Sequence, residues 1–125
     1  MKTKVVYIAH PISDDIAGNI AKIYALVRLI SFKRPDVIPF VPYLVYLGAL
    51  DDHEPNERAM GMRFNEHFIS PKYIDELWVM GLSEGVFEEI EQANQQLIKI
   101  IYWCKQMDYN EFKKTGYKPA KIFGL

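Results

Sequence analysis

Cysteine is almost missing from this chain: Cys104 is its one thiol. A lone thiol cannot close an internal disulfide, which argues against a secreted, disulfide-framed scaffold. Cys104 is expected as a half-buried apolar residue beside Trp103 rather than as a reactive group. Long apolar runs are missing as well. No stretch approaches the roughly 20 residues of a membrane helix. The five apolar residues from Val5 to Ala9 are too few for the apolar region of a signal peptide. A cytoplasmic protein without membrane attachment is the expectation. There is no basic excess, since 15 Lys and Arg face 16 Asp and Glu for a net charge of −1. Binding to a nucleic-acid polymer is therefore disfavoured, whereas a nucleotide-sized ligand needs only a few donors. Internal repeats, low-complexity segments and a Gly-rich phosphate fingerprint are absent too. His53 and His67, with Asp51, Asp52 and Glu54, match no metal-ligand spacing and are better explained as solvated capping residues. No metal and no cofactor are expected.

What is present fits one domain over residues 1–125, long enough to bury a core. Val5-Val6-Tyr7-Ile8-Ala9 is apolar without alternation, as in a strand covered on both faces. Asp14 and Asp15 offer an N-cap. Ile16, Ile20, Ile23, Val27 and Ile30 then recur with helical period, with Lys22 and Arg28 on the other side. This helix should end near Pro35. Residues 36–40 form a second strand, placed near an edge by Pro39. The apolar stretch from Phe40 to Leu50 fits a short helix, a cover over a pocket, plain core packing or a subunit contact. Asp51 to Pro55 opens a helix that Pro71 stops. Residues 74–80 form a third strand, 86–97 a helix and 98–103 a fourth strand. A polar helix follows Lys105, and a fifth strand lies near Lys121-Ile122-Phe123. The alternation predicts an α/β fold, a flavodoxin/Rossmann-like three-layer sandwich with a four- or five-stranded parallel sheet. Ligands of such folds bind at the carboxyl ends of strands. That directs attention to His10–Ser13 and Gly81–Gly85.

The helix after Gly85 carries the chemistry. Val86, Ile90, Ala93 and Leu97 share one face. Glu88 and Glu91 point away from it, and the dipole at a helix start is enough to explain them. Glu89, three residues after Val86 and four before Ala93, lies on the flank of the buried stripe, where a carboxylate can reach the crevice. A dipole-favoured surface acid remains the alternative on spacing alone. His10, Pro11 and Ser13, in the loop after the first strand, can line a pocket and supply amides.

Val6-Tyr7-Ile8-Ala9-His10-Pro11 and the helix start Gly85, Glu89, Ile90, Ala93 resemble the nucleoside 2-deoxyribosyltransferase-like superfamily, which includes 2′-deoxynucleoside 5′-phosphate N-hydrolases. The likeness covers about residues 4–103 in element order. It is closer still to uncharacterised, phage-type members with a His-Pro-Ile-Ser loop (His10–Ser13) and a Pro-Phe-Val-Pro-Tyr segment (Pro39–Tyr43). The resemblance implies that Glu89 is a nucleophile that attacks the anomeric carbon of a nucleoside or nucleotide. It implies also that Tyr7 orients that carboxylate, although a core strand aromatic explains Tyr7 equally well. Ser83, with Gly85, falls where the nucleotide hydrolases bind a 5′-phosphate, which favours nucleotide hydrolysis over transfer. A turn or capping serine is the alternative. The acid that the family places before the third strand falls on Glu66 and His67, neither of them the expected Asp. A non-catalytic nucleotide-binding sensor or sequestering protein is the competing expectation. Related enzymes complete the pocket with a neighbouring subunit, so a homo-oligomer is expected.

Overall fold

The computed structural model describes residues 2–115. The expected fifth strand at Lys121–Phe123 lies outside them. The chain forms β1 (Lys4–Ala9), α1 (Ile16–Lys33), β2 (Val37–Phe40), α2 (Tyr43–Ala49), α3 (Pro55–Phe68), β3 (Glu76–Val79), α4 (Glu84–Gln95), β4 (Lys99–Tyr102) and α5 (Tyr109–Thr115). All strand pairs are parallel and the sheet order is β2-β1-β3-β4. This is the α/β architecture that the alternation of elements predicts. Pro39 sits in the edge strand β2, opposite Val6, where a missing N–H disturbs the ladder least.

The unbroken apolar run of β1 has a direct cause. Val6 and Ile8 join Trp78, Met80, Leu26 and Ile30 in one buried cluster, while Tyr7 and Ala9 join Leu77, Val79, Tyr43, Val86, Ile90 and Ala93 in the other. Helix α1 thus covers one face of the central strands, and α2 and α4 cover the other, so neither face can be polar. The buried residues of α1 are Asn19, Ile23, Leu26 and Ile30, a stripe turned slightly from the expected one: Ile20 and Val27 lie on its margin. Asp15 caps α1 by accepting from the Gly18 amide at 3.1 Å. Helix α3 begins with Pro55, as expected, and rests against α2 and α4 without a fully buried residue of its own. The segment from Phe40 to Leu50 combines two of its expected forms: it contains a short helix, and that helix also walls a cavity.

At the amino ends of the strands, Glu76 accepts from Lys4 at 3.0 Å and from the Trp78 indole at 2.9 Å. Burial pushes its carboxyl up, but the hydrogen bonds from Trp78 and Lys4 outweigh burial and hold it below the ordinary range. Cys104 is buried more deeply than expected, and burial pushes its thiol up to about 11. No helix among the described residues is long and apolar enough to cross a membrane.

Helix α4 ends in a left-handed residue. Leu97 has φ 57°, and the Ile98 amide reaches back to the Ala93 carbonyl at 2.9 Å, the hydrogen-bonded stop that glycine normally supplies. Leu97 is 93% exposed, so its side chain gains little by packing. Leu97→Gly should raise unfolding stability by about 0.5–1 kcal/mol, because the left-handed backbone penalty of a Cβ outweighs the added chain entropy of glycine. Urea unfolding midpoints of the two proteins test this, and a lower midpoint for the variant counts against it.

Candidate functional site

Strands β2 and β3 lie on opposite sides of β1, so the chain leaves the centre of the sheet in two directions. The carboxyl ends of β1 and β3 part there, the usual position for a ligand crevice. A cavity of about 870 Å³ opens at that point, a volume suited to a small organic ligand. The loop after β1 and the loop after β3 form its floor; α1, α2, α3 and α4 supply its walls.

Glu89 of α4 lines this cavity, on the side that its position flanking Val86 and Ala93 predicts. Tyr7 is fully buried under it and donates its hydroxyl to Glu89 Oε2. Tyr43 of α2 holds Tyr7 in turn: its hydroxyl donates to the Ile8 carbonyl, and its ring lies 5.8 Å from that of Tyr7. Burial, with the charge of Glu89 added, keeps both phenols well above the usual range, so they remain donors. Glu89 itself is raised to about 8. Burial is the chief cause; the Tyr7 hydrogen bond pulls the other way, and Glu88 adds like-charge repulsion. The carboxyl is therefore mostly protonated at neutral pH.

His10, Pro11, Ser13, Ser83 and Gly85 all border the cavity. The His10 ring is buried and lies 2.7 Å from the Pro11 carbonyl through Nδ1. Burial, the dominant cause, lowers its pKa, so the ring is neutral; Nδ1 carries the hydrogen and Nε2 is left as an acceptor. Ser83 is the N-cap of α4, accepting from the Val86 amide at 3.2 Å. A Cβ on Gly85 would meet nothing nearer than Ser83 Oγ at 4.0 Å, so no steric demand fixes glycine there.

Glu66 and His67 are corrected by the fold: neither lines the cavity. Both are exposed, and His67 packs on Phe68 and Tyr73 instead. The reason is helical phase. Glu57, Arg58, Gly61, Met62 and Asn65 form the cavity-facing stripe of α3, and one or two further residues rotate a side chain roughly 100–200° away. Asn65 thus stands where an acid was sought. Its Oδ1, like Oε1 of Gln92 on α4, is buried with no hydrogen-bond partner. Such acceptors cost stability unless something pairs with them. Tyr43, Asn65 and Gln92 were missed by sequence reading; the spacing of Gln92 three residues after Glu89 was the one available signal. Glu88, expected to point away, is exposed yet stands on the rim. Among the described residues no group of three or more His, Cys, Asp or Glu is placed to hold a metal ion.

The raised carboxyl makes a stability prediction. Between the ordinary value of 4.5 and about 8 the folded chain binds a proton at Glu89 that the unfolded chain releases. Stability therefore falls as pH rises through that window and levels off above it. Glu89→Gln, which keeps an acceptor for Tyr7, should remove this slope and stabilise the protein at pH 8 by on the order of 4 kcal/mol, with no gain below pH 4. Thermal melts of both proteins from pH 4 to 9 check it; equal melting temperatures at pH 8 contradict it.

A family model described as "Domain of unknown function (DUF7768)" matches residues 4–103, which takes in all four strands, the cleft loops and Glu89. No curated protein and no solved structure matches the chain significantly. The matched segment is most of the chain, and the protein belongs to this family.

Proposed function

We propose that the protein cleaves or transfers the N-glycosidic bond of a nucleoside or nucleotide, with Glu89 as nucleophile. The observation that carries the reading is the Tyr7–Glu89 pair, in which the fully buried Tyr7 holds a half-buried carboxyl that lines a ligand-sized cavity. A carboxylate shielded from water, with no cation paired to it, is a strong nucleophile once ionised. Glu89 would bond to the anomeric carbon while the C–N bond breaks and its electron pair leaves with the base. Water or a second base would then displace Glu89, with net retention. The cationic character of the sugar in the transition state favours the ionised carboxylate opposite it. Tyr7 would hold the attacking oxygen in line. The resemblance to the nucleoside 2-deoxyribosyltransferase-like superfamily, through Tyr7, Gly85 and Glu89, supports the same reading.

A second reading is a non-catalytic sensor or sequestering protein for a nucleotide-like ligand. What favours it is that Glu89 is mostly protonated at neutral pH in the free protein. A homo-oligomer and a cytoplasmic location belong to the proposal too. Val45, 72% exposed on the outer side of α2, supports the first. The single, buried thiol supports the second.

Base release from a panel of nucleosides and nucleoside monophosphates decides between the two readings. Under the enzymatic reading Glu89→Ala abolishes release, and release that survives unchanged dismisses the nucleophile. Because Glu89 must ionise, kcat/KM should rise about tenfold per pH unit below pH 8 and reach a plateau above it. Tyr7→Phe removes the hydrogen bond that favours the ionised form, so its profile should shift to higher pH with a lower rate at pH 7. An unshifted profile for Tyr7→Phe leaves that tyrosine a packing role only. Tight binding without turnover, little changed by Glu89→Gln, is the outcome expected of the sensor.

A further inference from the structure

The lining of the cleft is strongly one-sided in charge. Besides the mostly protonated Glu89, the carboxyls of Asp14, Asp52, Glu57, Glu84 and Glu88 line it, against Lys22 and Arg58 as the only Lys or Arg among the described residues that do. Arg58 and Asp52 pair at 3.2 Å and offset each other, which leaves Asp14, Glu57, Glu84 and Glu88 against Lys22. Helix α4, whose N-terminus was the expected phosphate seat, brings Glu84 and Glu88 to the rim and no Lys or Arg. Nε2 of the neutral His10 adds an acceptor. An environment of acceptors and carboxylates repels a phosphate and attracts a cation.

A separate observation leads to the same ligand. A neutral base leaves a sugar readily only if it is protonated as it departs. Glu66 and His67, the expected proton donors, face away from the cleft, and the one N–H of the His10 ring is committed to the Pro11 carbonyl. A base that is already positively charged needs no such donor. When its C–N bond breaks, the electron pair returns to the ring nitrogen and the base leaves neutral, with no proton moved.

We infer that the cleft takes a nucleoside without a phosphate whose base carries a positive charge, such as an N-alkylated purine or a pyridinium. This rests on the Glu89 reading for its chemistry, but the charge preference is a property of the cleft and is tested by binding alone.

The probes are nicotinamide riboside, a permanent cation, its uncharged dihydro form, and the corresponding 5′-phosphate. Titration calorimetry with the Glu89→Gln protein measures affinity without turnover. The expected result is at least tenfold tighter binding of the cation than of the dihydro form. The preference should shrink as salt is raised and in a Glu84→Gln/Glu88→Gln double variant, whose altered side chains are exposed on the rim. The 5′-phosphate should bind more weakly than the riboside. Equal affinity for the charged and uncharged forms, tighter binding of the phosphate, or no binding of any of the three overturns the inference. A turnover arm separates the two claims. Glu89-dependent release of neutral bases without a preference for the cation leaves the nucleophile standing and removes this inference. Preferential binding of the cation with no release of nicotinamide does the reverse.

Discussion

The hydrogen bond from Tyr7 to Glu89 is the constraint on which the rest of the site depends. It ties the central strand of the sheet to the first turns of α4 and places a carboxyl at the point where the sheet parts. Burying that carboxyl without a cation opposes folding, and the hydrogen bond offsets only part of the effect. The surrounding fold absorbs the difference with two apolar layers, one on each face of β1 and β3. Strain of this kind is common where a group is kept ready for a ligand, and its position beneath a large cavity fits that use.

Tyr43 extends the same logic. It comes from an apolar segment whose purpose is obscure in sequence, yet its hydroxyl reaches the Ile8 carbonyl and its ring braces Tyr7. Three side chains from three elements thus fix one another: β1 supplies Tyr7, α2 supplies Tyr43 and α4 supplies Glu89. A displacement of α2 is felt at Glu89 through two contacts, Tyr43 to Tyr7 and Tyr7 to Glu89.

The sheet and most helices were legible because their signals are local. The unbroken run Val5–Ala9, the Asp15 cap, Pro55 at a helix start and Pro39 at an edge each state a constraint that neighbouring residues obey. The inward direction of Glu89 was legible for a related reason: Val86, Ile90 and Ala93 anchor the phase of α4, and position 89 follows from it. Helix α3 offered no such anchor. None of its residues is fully buried, so its hydrophobic pattern does not say which side meets the cleft. Counting back from the third strand led to Glu66 and His67, whereas packing against α2 and α4 turns Asn65 inward. The charge of the cleft was equally hidden, because Asp14, Asp52, Glu57 and Glu88 converge only in three dimensions.

That weak anchoring of α3 has a consequence for the walls of the cleft. The helix holds its place through half-buried ring contacts, Phe64 to Tyr46 at 4.7 Å and Phe68 to Phe40 at 5.7 Å, and has no fully buried side chain of its own. Regions with few buried apolar contacts separate from a fold at the lowest free energy. One wall of the chamber is therefore less firmly anchored than α1 and α4, whose Ile23, Leu26, Val86 and Ile90 are sunk into the core and hold the other walls to the sheet.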